Sequence, residues 1–76
     1  MTFEQLFEKM NKADREAAAI IVEDWIYQMK KNENAKWLYF NKTDGFLWGM
    51  YGAGFISYAD KEDLYNILKQ ITKNKE

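Results

Sequence analysis

Apolar side chains recur at helical spacing near both ends of the chain. Near the start, Thr2 precedes apolar residues at offsets of three and four, and Gln5 follows it at the spacing of a capping box. This pattern predicts a short first helix with the face Phe3, Leu6, Phe7 and Met10. Acidic residues from Asp60 onward open a last amphipathic helix with the face Leu64, Ile67, Leu68 and Ile71. The tail Lys73–Glu76 is predicted to fray.

The longest helical pattern runs from about Ala13 to Lys31. No glycine or proline interrupts it, and acidic residues near its start and lysines at its end suit the helix dipole. Its apolar arc is broad, which predicts contacts on two sides of the helix. The arc consists of Ala18, Ala19, Ile21, Val22, Trp25, Ile26 and Met29.

The middle of the chain is rich in aromatic residues that favour strands. The runs 36–42 and 46–51 flank Asp44 and Gly45, a pair that tolerates the positive φ angles of a tight hairpin turn. The glycines of 52–54 predict a second turn, and 55–58 a third strand. The predicted order is α-α-β-β-(β)-α: a single small α+β domain over residues 1–76, with an antiparallel hairpin or three-stranded meander packed on helices.

The hairpin register divides the aromatic side chains between two faces. The core face is predicted to hold Leu38, Phe40, Leu47 and Tyr51. The opposite face carries Trp37, Tyr39, Phe46, Trp48 and Met50. Because interface centres are rich in such residues, these five form the predicted protein-binding site. Helices on both sides of the sheet, or a register slip of one residue, would instead place them in the core, and a homodimer would bury the same face.

The composition narrows the possible chemistry. The 76 residues are 47% hydrophobic and include neither cysteine nor histidine. Disulfides, thiolate nucleophiles and cysteine-ligated zinc are therefore excluded. General acid/base catalysis would depend on carboxylates, lysines or tyrosines, and no pair of these stands out. The hydroxyl residues, which lie in no nucleophile motif, are Thr2, Thr43, Ser57 and Thr72. No enzymatic activity, cofactor or metal is predicted.

The charge pattern bears on partners and location. The formal net charge of −1 removes a strong general attraction to nucleic acid. Lys36 and Lys42 nevertheless flank Trp37 and Tyr39, so binding of single-stranded nucleic acid is an alternative. The N-terminal segment lacks the pattern of a secretory signal, and no apolar run reaches about 18 residues. A cytoplasmic location without a membrane partner is predicted.

These features favour a small non-enzymatic protein-binding module. Its large aromatic area has no chemistry to explain it, which predicts a stoichiometric regulator or inhibitor of a larger protein. Short chains rich in lysine and aromatic residues are common among accessory proteins of phages and mobile elements. The alternatives are single-stranded nucleic-acid binding through the aromatic face and a homodimeric structural role.

Overall fold

Helices account for all the regular secondary structure in the computed structural model, which describes residues 1–73. The elements are α1 (Phe3–Glu8), α2 (Lys12–Lys31), a 3₁₀ turn (Glu33–Ala35), α3 (Lys36–Gly52) and α4 (Tyr58–Lys73). The predicted α+β class is therefore wrong: over the described residues no strand or hairpin forms. A helix, α3, replaces both strands of the hairpin.

The predicted starts of the first two helices are confirmed. The Gln5 amide donates to Thr2 Oγ1 at 3.2 Å and the Thr2 amide donates to Gln5 Oε1 at 2.9 Å, which completes the capping box. In α2, the Asp14 amide donates to Asn11 Oδ1 at 2.9 Å. Side chains that satisfy the free amides of the first turn explain why α2 begins within a residue of the predicted position.

Helix α3 forms through the segment that resembles a hairpin. Its inner face follows spacings of three and four residues through Phe40, Thr43 and Leu47, all buried. Thr43 Oγ1 donates to the carbonyl of Tyr39 at 2.9 Å, so its hydroxyl is satisfied within the helix. A glycine inside a helix costs about 1 kcal/mol, whereas burying a Phe or Leu side chain contributes about 1.5–3 kcal/mol. Burial therefore outweighs the turn preference of Asp44 and Gly45.

The predicted core side of the hairpin is half right. Phe40 and Leu47 are buried in the core, but Leu38 and Tyr51 are exposed. A strand places every second residue on one face, whereas successive residues of a helix are about 100° apart. Leu38 therefore points away from Phe40 and Leu47, whereas Tyr51 keeps nearly their direction but lies in the last turn of α3.

The glycine-rich segment after α3 is a turn, as predicted, but it caps a helix. Gly54 has φ +77°, and its amide donates to the Tyr51 carbonyl at 2.9 Å. The Phe55 amide donates to the Met50 carbonyl at 2.9 Å, which completes a Schellman motif. The predicted third strand is absent; Ile56 is instead buried in the core.

Helix α4 begins earlier than predicted. Ser57 Oγ accepts from the Asp60 amide at 3.0 Å, so Ser57 caps the helix and Asp60 lies in its first turn. The predicted apolar face is confirmed, with Leu64 and Leu68 buried and the two isoleucines packed against the core. The frayed tail was predicted to begin at Lys73, which instead ends α4; residues 74–76 of that prediction lie outside the described range.

The four helices share one hydrophobic cluster. Helix α2 packs mainly against α3, α3 packs against α4, and α1 packs on α2. The buried cluster consists of Leu6, Met29, Phe40, Leu47, Ile56, Leu64 and Leu68. Within residues 1–73, no helix combines the length and the apolar character needed to cross a membrane.

Candidate functional site

Helix α3 separates the five residues that were predicted to share a binding face. At about 100° per residue, Trp37 and Trp48 point in one direction, while Tyr39, Phe46 and Met50 point nearly opposite. Both tryptophans are at least half exposed, whereas the other three are partly buried against the core. The prediction that these residues form one surface was wrong, because it depended on the hairpin register.

Trp48 belongs to an exposed aromatic cluster, which consists of Trp48, Tyr51 and Tyr58. The ring centroids of Trp48 and Tyr51 are 6.1 Å apart at 72°, and those of Tyr51 and Tyr58 are 5.6 Å apart at 73°. Both pairs have the edge-to-face geometry that aromatic quadrupoles favour. The three side chains are 50%, 38% and 51% exposed, respectively. They form a continuous aromatic surface across the junction of α3 and α4.

Lys61 of α4 packs against two rings of the aromatic cluster, those of Trp48 and Tyr58. It is only 2% exposed, and its Nζ lies 4.1 Å from the Trp48 ring centroid and 4.8 Å from that of Tyr58. The same ammonium is 5.8 Å from the Tyr65 ring. These distances are within the range of cation–π attraction, which is stronger for a desolvated cation. A single buried cation therefore holds rings from two helices.

The charge of Lys61 is stabilised by carboxylates. Its Nζ donates to Glu62 Oε2 at 2.9 Å. This hydrogen bond raises the pKa of Lys61 above its ordinary value of 10.5, against the opposing effect of desolvation, and the charges of Glu62, Tyr58 and Asp44 also raise it. Lys61 is therefore a cation at neutral pH, so the cation–π contacts persist there.

Asp44 adds a second carboxylate near the cluster. Its Oδ1 atom is buried and has no hydrogen-bond partner among the residues that the structure describes. Asp44 nevertheless contributes to the electrostatic stabilisation of Lys61. Asp44, which favoured a hairpin turn in the sequence, thus acts on Lys61 through its charge at the edge of the cluster.

A groove of about 570 Å³ lies on the other edge of α3. Phe46 and Met50 line its α3 side, and small residues of α2, including Ala17 and Ala18, line the opposite side. At one end, Lys9 Nζ donates to the Phe55 carbonyl at 3.0 Å. The groove is open and mainly apolar.

Trp37 lies apart from both surfaces. Its ring packs edge-on against Phe40 with centroids 5.3 Å apart, and it is 60% exposed. Eleven residues separate it from Trp48, which is about 16 Å along a helix. The two tryptophans therefore occupy different parts of one side of α3.

Sequence reasoning missed the contribution of α4 to the aromatic cluster. Tyr58, Lys61 and Tyr65 have offsets of zero, three and seven, which places them on one face of a helix. This spacing would have revealed the shared face if Tyr58 had been assigned to a helix. Because residues 55–58 were predicted to form a third strand, the face was not recognised.

Candidate metal ligands do not cluster in the part of the chain that the structure describes. In residues 1–73, no group of three or more carboxylate, histidine or cysteine side chains could hold a metal ion. No protein-family model, curated protein or solved structure matches the chain. The exposed surfaces are consequently the basis for assigning a function.

Proposed function

We propose that this chain binds another protein through the aromatic cluster and acts as a stoichiometric regulator or inhibitor of that partner. The observation that carries the proposal is a set of three partly exposed aromatic rings, two of which, Trp48 and Tyr58, lie over buried Lys61. Trp and Tyr are enriched among the few residues that dominate binding energy at interfaces. Rings that are ordered before binding lose less conformational entropy when the partner arrives.

The charges around the cluster favour a partner segment with basic side chains. Glu62 accepts from Lys61 through Oε2 and from the Tyr58 hydroxyl through Oε1 at 3.5 Å, and its side chain is 43% exposed. Asp44 lies close enough to Lys61 to influence it electrostatically. An arginine or lysine of the partner would stack on the ring faces and pair with these carboxylates. The partner class is therefore a protein surface that combines apolar and basic residues.

Single-stranded nucleic acid is the weaker candidate. Lys36, predicted to flank an aromatic face, donates to the Thr72 carbonyl at 2.9 Å and lies 3.2 Å from Glu33. Lys42 lies over the ring of Tyr39, away from Trp48. The carboxylates beside the cluster would repel phosphates, so the electrostatic capture that such binding needs is weak. The proposal assigns no enzymatic activity and no cofactor, and it places the protein in the cytoplasm.

The test compares two tryptophans of the same helix. Immobilised wild type, Trp48→Ala and Trp37→Ala are exposed to an extract of the native host, and captured proteins are quantified by mass spectrometry. We expect one partner to be captured by wild type and Trp37→Ala, and to be lost with Trp48→Ala. Hot-spot truncations commonly cost about 2 kcal/mol or more, or roughly thirtyfold in affinity.

Two further variants examine the charge of the surface. Asp44→Asn and Glu62→Gln remove one carboxylate each, and we expect both to weaken binding of the purified partner. Equal capture of the partner by wild type, Trp48→Ala and Trp37→Ala would contradict the proposal. Tight, salt-sensitive binding of a labelled single-stranded oligonucleotide that Trp48→Ala abolishes would favour the nucleic-acid alternative instead.

A further inference from the structure

The groove between α2 and α3 is a concave site whose walls come from four parts of the chain. Its volume of about 570 Å³ lies within the roughly 300–1,000 Å³ that is usual for small-molecule sites. Besides α2 and α3, the segment before α2 contributes Met10 and the segment after α3 contributes Phe55. A small molecule in the groove would therefore contact several elements at once.

The apolar walls of the groove suit an aromatic ring. Phe46, Met50, Met10 and Phe55 are partly buried and pack against the core, so their positions are held from behind. Phenylalanine rings pair favourably with a further ring, and methionine side chains adapt to the shape of a ligand. On the α2 side, small residues such as Ala17 leave the space open. The walls therefore favour an apolar body about the size of a phenyl ring with a short chain.

Two side chains of opposite charge, Lys9 and Asp14, also line the groove. Among residues 1–73, no ion pair joins the two. A ligand with a net charge would be attracted by one of these side chains and repelled by the other. Charge complementarity therefore favours a ligand without net charge.

The hydrogen bonds of Lys9 and Asp14 leave capacity for a ligand. Lys9 Nζ donates to the Phe55 carbonyl at 3.0 Å, and an ammonium has three donors. Asp14 Oδ2 accepts from Asn11 Nδ2 at 2.9 Å, whereas Asp14 Oδ1 takes part in none of the hydrogen bonds described for residues 1–73. A primary carboxamide matches this pair, because its carbonyl accepts from an ammonium and its NH₂ group donates to a carboxylate.

We infer that the groove binds a small neutral molecule that joins a phenyl-sized apolar body to a carboxamide. Both charged side chains are exposed, so the apolar body supplies most of the affinity and the carboxamide supplies the selectivity. The groove lies on the opposite edge of α3 from the aromatic cluster. This inference is therefore independent of the proposed protein partner.

Three probes that share one apolar body test the head group: 4-phenylbutyramide, 4-phenylbutyrate and 4-phenylbutylamine. Each is titrated into the ¹⁵N-labelled protein, and backbone amide shifts are followed by nuclear magnetic resonance. We expect saturable shifts near Ala17, Ala18 and Met50, with the amide binding at least about threefold more tightly than either charged probe. No saturable binding of the amide, or shifts confined to the aromatic cluster, would overturn the inference.

Two charge variants test the roles of Lys9 and Asp14 separately. Asp14→Asn leaves the lysine uncompensated, so 4-phenylbutyrate should gain affinity relative to the amide. Lys9→Met leaves the carboxylate uncompensated, so 4-phenylbutylamine should gain instead. The spectra of the free variants show whether each retains the fold. An unchanged order of the three probes in both variants would disprove the assigned head-group contacts.

Filling the groove tests its location. Ala17→Trp places a large side chain in the open space and should weaken binding of the amide by about tenfold or more. Ala13→Trp is the matched control, because Ala13 is also exposed on α2 but does not line the groove. Equal effects of the two substitutions would count against the groove. Trp48→Ala should leave amide binding unchanged, so the groove and the proposed partner surface can fail separately.

Discussion

The two long edges of α3 bear similar side chains but form different surfaces. On the α4 edge, the Lys61 ammonium lies 4.1 Å from the Trp48 ring centroid and 4.8 Å from that of Tyr58. On the α2 edge, Phe46 faces Ala17 and the space remains an open groove. The size and charge of the side chains on the neighbouring helix thus decide whether an aromatic edge becomes a supported cluster or a groove wall.

The largest change in stability is expected on truncating Leu47, which is fully buried between the two edges of α3. Leu47→Ala should lower the free energy of unfolding by about 2–5 kcal/mol, because a cavity forms where both edges meet the core. Urea denaturation measures the change. The matched control is Ile20→Ala on the exposed side of α2, with an expected change within about 0.5 kcal/mol in dilute solution. Similar losses in the two variants would contradict the assigned core.

Truncating the two tryptophans of α3 should sharpen the contrast between supported and isolated rings. Trp48→Ala removes a ring pair and a cation–π contact, so we expect it to lose about 1–3 kcal/mol of stability. Trp37→Ala removes one edge-on contact with Phe40 and should lose less. Thermal unfolding of both variants measures which one loses more stability. A larger loss in Trp37→Ala would contradict the expected stabilisation of the Trp48 ring by its neighbours.

Two glycines should respond in opposite directions to alanine. A Cβ at Gly45 meets open space within α3, so Gly45→Ala should gain about 1 kcal/mol from helix propensity. Gly54 has φ +77°, so Gly54→Ala should lose about 1–2 kcal/mol through backbone strain. Denaturant midpoints decide the signs. A loss of stability at Gly45 would favour the hairpin over the helix.

The smallest expected effect is the pH response of Lys61. Its folded pKa is raised, chiefly by the hydrogen bond to Glu62, so its charge contributes stability that is fully present below pH 10.5. That contribution is lost as pH rises through the folded pKa. The difference in unfolding free energy between wild type and Lys61→Met should therefore shrink above pH 10.5. A difference that grows in this range would contradict the raised pKa.

Much of the helical framework could be predicted from local signals. The Thr2 and Gln5 box, the amphipathic face of Leu64 and Leu68, and the extent of α2 depend on neighbours within about one or two turns. The central segment could not be assigned in this way. Aromatic residues favour strands in general, and Asp44 with Gly45 is a strong turn signal, yet both tendencies amount to about 1 kcal/mol or less per residue.

The candidate site was only partly predictable for the same reason. Trp48 was identified because exposed tryptophan is typical of interfaces. Tyr58 and Lys61 were missed because their relation to Trp48 depends on how α4 packs beside α3. The predicted grouping of Trp48 with Phe46 and Met50 was wrong, since a helix sends these residues to different edges.

By itself, the sequence determined the capping box of α1, the buried side of α4, the turn at Gly54 and the lack of cysteine or histidine chemistry. Each depends on residue type or on backbone groups close in the chain. Only the tertiary structure decided that residues 36–52 form a helix, because that choice depends on burying Phe40 and Leu47 against α2 and α4. It also decided where the aromatic rings lie, since Lys61 reaches Trp48 only after the two helices have packed.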